Sequence, residues 1–149
     1  MMDNDLNNTP NVKLAVPFFM VKDMKASLDY YIKGLDFKMT FDWHDENGNI
    51  KWCWLEIGKA ALMLQEYPAN ANISAQVSNQ SVVIYFICED ALAIYNDVLS
   101  RGIKASEPFV GNNMWVVELS DPDGHKIFFE SSTNVPEETK YSDWILKEQ

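Results

Sequence analysis

Trp115-Val-Val-Glu-Leu-Ser-Asp-Pro-Asp-Gly-His-Lys-Ile-Phe-Phe-Glu130 reads as a strand, a tight turn and a second strand. Trp115, Val117 and Leu119 alternate with Val116, Glu118 and Ser120, the period of a half-buried strand. Asp121-Pro-Asp-Gly124 then supplies turn chemistry: Pro122 presets φ, Asp121 can bond its own turn backbone, and Gly124 accepts a positive φ. Lys126, Phe128 and Glu130 alternate with Ile127 and Phe129 on the way back.

Upstream of this hairpin, Val82 to Ile87 reads as an apolar strand. Glu89-Asp90 opens a helix whose Ala91, Ile94, Tyr95 and Val98 share a face, and Gly102 closes it. Lys104 to Val110 is a short strand interrupted by Pro108, and Gly111-Asn-Asn113 is a turn.

The same order occurs earlier in the chain. Leu14 to Val21 is a strand, with Pro17 marking an edge or irregularity. Asp23 caps a helix with Leu28, Tyr31, Ile32 and Leu35 on one face, ended by Gly34. Strands follow at 37–43, 50–57 and 60–67, with a turn at Glu46-Asn-Gly-Asn49. Leu55-Glu-Ile57 matches Val117-Glu-Leu119, and Leu62-Met-Leu-Gln-Glu66 matches Ile127-Phe-Phe-Glu-Ser131. The chain is thus a repeat of two βαβββ modules. Module one covers about residues 12–67, a connector 68–79, module two 80–132 and a tail 133–149, in one domain. The expected class is α+β: a curved, mostly antiparallel sheet, helices outside, and a concave face left for a ligand.

The 149 residues carry a formal net charge of −10, which argues against nucleic acid as a partner. Hydrophobic residues make up 47%, enough for a core. Cys53 and Cys88 lie in apolar strand patterns without a CxxC, so free thiols are expected. The start is polar and acidic rather than a leader, and no apolar run approaches spanning length, so no membrane and a cytoplasmic location are expected.

The paired modules, the Val21-Lys-Asp-Met-Lys-Ala-Ser-Leu-Asp-Tyr-Tyr31 segment with Leu35 and Phe37 after it, and Asp121-Pro-Asp-Gly-His-Lys-Ile127 resemble the vicinal oxygen chelate superfamily. It includes glyoxalase I, bleomycin-resistance and fosfomycin-resistance proteins and extradiol dioxygenases. The resemblance covers about residues 12–132. Asp36 departs from it, since the family usually has Gly in its Leu-Gly-Phe turn.

Enzymes of the family hold a divalent metal on the inner face through His, Glu or Gln. Carried over by counting, their ligand positions fall on Val16, Met63, Val83 and Phe128, none of which is a ligand for such a metal. A register shift brings in Pro17, Gln65, Ile84 or Glu130, one good ligand at most. No catalytic residue, metal or cofactor is therefore expected. His44 beside Asp42 and Asp45, and His125 in the turn, read as solvated histidines.

The aromatic content, five Trp, six Tyr and eight Phe, points instead to a slot for a flat or apolar ligand. Phe18, Trp52, Trp54, Tyr85 and Phe128 are the rings placed on the inner face; Trp115 is left open, and Trp43 is set toward its outside. Met63 would adapt to the ligand, and Glu56 or Glu130 would meet positive charge. The resemblance is closest in character to the bleomycin-resistance type: a metal-independent homodimer that sequesters a hydrophobic or cationic aromatic small molecule. Two alternatives stand beside it. One is a glyoxalase-like lyase or dioxygenase with a rearranged metal site drawn from Gln65, Glu130 or His44. The other is an interaction protein with no ligand. The tail's Tyr141, Trp144 and Ile145, at helical spacing, are expected either to pack back or, with the family's habit, to enter the dimer interface.

Overall fold

The computed structural model describes residues 10–72 and 82–148. The arm at residues 1–9 and most of the connector, residues 73–81, lie outside them. Module one contributes β1 (Phe18–Val21), α1 (Met24–Leu28), β2 (Lys38–His44), β3 (Ile50–Ile57) and β4 (Ala60–Glu66). Module two contributes β5 (Val83–Ile87), α2 (Ala91–Ser100), β6 (Phe109–Gly111), β7 (Met114–Ser120) and β8 (Lys126–Ser132). A last helix, α3, spans Tyr141–Glu148.

The helices start where the sequence places their caps. The Asp23 carboxylate accepts from the Ala26 N–H at 3.2 Å, and the Asp90 carboxylate from the Ala93 N–H at 3.0 Å. α1 does not stop at Leu28 but widens into a π-helical segment, Asp29–Gly34. At its end the Leu35 N–H donates to the Tyr30 carbonyl at 3.0 Å, five residues back. Asp36 follows with φ 69°, a left-handed conformation that costs a residue with a Cβ. Asp36→Gly is expected to raise stability by about 0.5–1 kcal/mol, the relief of that strain less the added freedom of the unfolded chain. Urea unfolding measures it, and a lowered midpoint would show that Asp36 is held there by more than backbone geometry.

The strands form two four-stranded sheets, ordered β1-β4-β3-β2 and β5-β8-β7-β6. In each, the first pair is parallel and the other two antiparallel. This is the α+β architecture of two βαβββ modules. The Asn112-Asn113 turn between β6 and β7 has φ 52° and 62°, the twist a two-residue hairpin needs. The short stretch before Pro108 stays irregular, and β6 begins only at Phe109.

Alternation decides which face of each sheet is buried. Val21, Cys53, Leu55, Leu62 and Leu64 of one sheet join Phe86, Trp115, Val117, Leu119, Ile127 and Phe129 of the other in one core cluster with α1 and α2. Phe37 meets Phe86 edge-on at 5.8 Å across the two modules. Where the helix ends meet, a Cβ at Gly34 would collide with Ile103, and Arg101 Nη1 donates to the Gly34 carbonyl at 3.0 Å.

The β7–β8 turn is the clasp between modules. Asp121 is only 5% exposed. Its Oδ1 accepts the Asp123 and His125 N–H groups, both at 2.9 Å, and its Oδ2 accepts the Tyr31 hydroxyl at 2.8 Å. Burial pushes the Asp121 carboxyl up, and it pushes the Tyr31 phenol up with Asp121 beside it. Asp123 Oδ1 accepts the Lys22 N–H at 2.9 Å. His125 is not the solvated turn histidine expected. Its ring stacks on Phe19 at 4.3 Å, and its Nε2 donates to the Met20 carbonyl at 3.0 Å. Module two's turn thus occupies backbone groups along β1.

The tail packs back on its own chain. Tyr141 and Trp144 lie against Trp115 at 6.2 and 5.5 Å between ring centroids. Before α3, the Val110 N–H donates to the Thr139 carbonyl at 3.0 Å, and Phe109 bridges Lys140. The tail therefore covers the outer edge of β6. Trp115 faces this core rather than the open face.

Candidate functional site

The faces turned away from the core carry the aromatic side chains. On the first sheet the register aligns Phe18, Met63, Trp54 and Phe41 across four strands. The next row is Met20, Gln65, Trp52 and Trp43. These rows exist because each β3 residue alternates with a core residue, Cys53 or Leu55. Trp54 Nε1 donates to Glu56 Oε1 at 2.9 Å, and Lys38 lies opposite Glu56 on β2. The Glu56 carboxylate is thus already oriented by an indole N–H.

On the second sheet, Tyr85, Phe128 and Glu118 form one row, and Ile87, Glu130 and Val116 the next. Tyr85 meets Phe128 edge-on at 5.3 Å. Burial pushes the Glu130 carboxyl up. The expected residues are thus divided between sheets: Phe18, Trp52, Trp54, Glu56 and Met63 on the first, Tyr85, Phe128 and Glu130 on the second. Among the described residues, no ring contact or hydrogen bond joins the two sets.

Register also corrects one equivalence. Glu56 and Glu118 match by sequence, yet Trp54, not Glu56, occupies the place of Glu118, since Trp54 faces Met63 and Glu118 faces Phe128. The β3–β4 turn has two residues, Gly58 and Lys59, whereas β7–β8 has five, so matching the strands by their shared Glu does not reproduce their pairing.

At the end of the first sheet's open face lies a cavity of about 450 Å³ lined by Trp43, Trp52, Tyr67 and Pro68, with Asp45, Lys51 and Glu66 beside them. Trp43 stands directly across from Trp52 in the register and shares the open face with it. The period-two pattern of β2 and β3 carried that signal, but their pairing register did not follow from it. Asp45 Oδ1 accepts the Asn47 and Asn49 N–H groups at 2.9 and 3.0 Å, which holds its carboxyl below the usual range. Glu66 pairs with Lys51 and accepts the Met24 N–H at 2.8 Å. That hydrogen bond from Lys51 raises the lysine's pKa.

The donor set does not fit a divalent metal. The four positions carried over from the family resemblance, Val16, Met63, Val83 and Phe128, have no metal-ligating side chain. Of the residues considered for a rearranged site, Gln65 and Glu130 lie on different sheets. His44 pairs with Asp42 at 3.1 Å at the end of β2. Among the described residues, no three His, Cys, Asp or Glu side chains converge. Cys53 and Cys88 are free thiols; burial pushes Cys53 up to about 11 and also raises Cys88. Neither is a ready nucleophile.

Two tandem βαβββ modules, each a four-stranded mixed sheet with a helix, define the fold class. The model of the Glyoxalase/Bleomycin resistance protein/Dioxygenase superfamily matches residues 13–129, and the chain belongs to that family. No curated protein matches it in sequence. Among solved structures it is similar to TnmS3, an antibiotic binding protein from Streptomyces sp. CB03234, at 18% identity over 84% of this chain and 100% of that one, TM-score 0.62. It is also similar to the fosfomycin resistance protein FosX from Mesorhizobium loti, at 15% identity over 82% and 93%, TM-score 0.58. Hypothetical protein SA1046 from S. aureus aligns at 22% identity over 82% and 95%, TM-score 0.59. At these identities the likeness is one of fold.

Proposed function

We propose that this protein binds a hydrophobic or cationic aromatic small molecule on the open faces of its sheets, holds it without a divalent metal, and does no chemistry on it. The observation that carries this reading is the cavity walled by Trp43, Trp52 and Tyr67 with Asp45 and Glu66 alongside. Indole and phenol faces attract flat rings and cations; Lys51 already neutralises Glu66, so Asp45 is the carboxylate left to meet a cation. Trp52, Trp54, Phe18 and Met63 extend the platform on the first sheet. Tyr85, Phe128 and Glu130 are the counterpart on the second, and Glu56 is the carboxylate that Trp54 orients. The antibiotic-binding activity named for TnmS3 supports a sequestration role.

A homodimer belongs to this reading. Phe41 and Trp43 are exposed on the open face of the first sheet, and exposed aromatic surface of that kind is what a second copy would cover. The cytoplasm is the proposed compartment, because two free thiols suit a reducing environment. No helix among the described residues is long and apolar enough to cross a membrane.

Tryptophan fluorescence titrated with bleomycin and a panel of planar aromatic cations tests the binding. Quenching that saturates is expected, and Trp52→Ala is expected to weaken it roughly 5- to 30-fold, the loss of about 1–2 kcal/mol of stacking and cation–π attraction. Wild-type affinity in both Trp52→Ala and Trp54→Ala would overturn the site. Stoichiometric divalent metal in the purified protein would overturn metal independence.

A further inference from the structure

A second cavity, of about 520 Å³, lies where the β3–β4 turn of module one meets β5 and α2 of module two. It has a different chemistry from the aromatic one. Its floor is Phe86 and Phe129, 8% and 3% exposed, and its sides are Ile57, Ile87 and Ile94. The volume falls within the roughly 300–1,000 Å³ of small-molecule sites. β5 is the edge strand of its sheet, so the cavity wraps a strand edge and draws on both its faces.

The polar groups at this cavity are few and separated. Lys59 lines it from the exposed two-residue turn and makes no ion pair among the described residues. Tyr85, half exposed, brings a phenol that no described side chain or carbonyl engages. The cavity therefore has an apolar body with a cation at its rim and no carboxylate among its lining residues. In a chain of net charge −10, an unpaired lysine over a phenylalanine-floored cavity is a local inversion of sign.

We infer that this cleft binds an amphipathic monoanion, an aliphatic or aromatic carboxylate or sulfonate. The headgroup meets the Lys59 ammonium and the Tyr85 hydroxyl. The apolar body lies against Ile57, Ile87 and Phe129. The Trp-lined cavity favours cations, so one chain carries two sites of opposite charge preference.

Decanoate is the probe, titrated calorimetrically into the full chain, with decylamine as its charge-inverted counterpart. Decanoate is expected to bind one per chain and decylamine at least about tenfold more weakly. Lys59→Glu is expected to weaken decanoate about tenfold or more, and Lys59→Arg to restore it. Lys59 is exposed in a turn, so these variants fold. Ala60→Trp, which fills the cavity, is expected to abolish binding in protein whose melting temperature is kept. Trp54→Ala is expected to leave decanoate unchanged, which separates this site from the one proposed above. Equal binding of decylamine, or wild-type decanoate affinity in Lys59→Glu, would overturn the inference. So would a loss of decanoate binding in Trp54→Ala.

Discussion

Asp121→Ala is expected to destabilise the protein by about 3–5 kcal/mol, because it strands several buried donors at once. Asp121 Oδ1 holds two backbone N–H groups of its own turn, and Oδ2 holds the Tyr31 hydroxyl of module one. Removing the carboxylate loosens the turn that places Asp123 on Lys22 and His125 on Met20. Tyr31→Phe removes one donor instead and leaves Oδ2 short of a partner, so a smaller loss of about 1–3 kcal/mol is expected. Urea unfolding of the three proteins measures the series. A loss under about 1 kcal/mol for Asp121→Ala would show that the modules hold together without the clasp. The size of the effect also depends on pH. Burial raises the folded Asp121 carboxyl above its unfolded value of about 3.9. The folded state therefore holds this proton more tightly, and the stability it adds is full below the unfolded value. That increment disappears as pH rises through the raised folded value. The penalty of Asp121→Ala is accordingly expected to be largest at the acid end of that window.

Trp115→Ala is expected to cost about 3–5 kcal/mol, the range for deleting a large buried ring. Trp115 is 5% exposed and carries Tyr141 and Trp144 on its ring. α3 has no buried residue of its own; it is held by those rings, by Tyr95 against Tyr141 at 5.4 Å, and at its start by the Tyr141 N–H on the Pro108 carbonyl and the Ser142 N–H on Glu107 Oε1. The variant is expected to lose the helix before the rest of the fold. Limited proteolysis reads this as cleavage within residues 141–148 well below the global melting temperature. A protected tail in Trp115→Ala would mean that the backbone contacts of residues 139–142, to Val110, Phe109, Pro108 and Glu107, suffice to hold it.

The strands and helices were legible because their patterns are local. Cys53 and Leu55 alternate with Trp52, Trp54 and Glu56, and that alone puts three of the candidate residues on the face opposite the core. The capping aspartates, Asp23 and Asp90, and the Asn112-Asn113 turn act within four residues of themselves. The π-helical end of α1 was not legible. Leu28, Tyr31, Ile32 and Leu35 suit an α-helical face, and the widening depends on how Tyr31 and Gly34 meet module two.

Pairing across strands was the first thing that local pattern could not supply. The partner of each residue depends on turn length, and the two equivalent turns differ, so Glu118 stands where module one has Trp54. The same limit kept Trp43 and Tyr67 out of the candidate site, although each ring was visible as a residue type.

What the sequence by itself determined is the architecture: the βαβββ repeat, the caps, the turn at Asp121-Pro-Asp-Gly124 and the absence of ligand types at Val16, Met63, Val83 and Phe128. Each rests on interactions that span a few residues or on the identity of a single side chain. The tertiary structure decided the rest. It made Asp121 and His125 a clasp rather than a solvated turn, folded the tail onto Trp115, and divided the aromatic residues between two sheets. The clasp depends on groups 90 to 105 positions apart being brought within hydrogen-bond reach. Separations of that length leave no periodicity in a chain, because they are set by how whole elements pack.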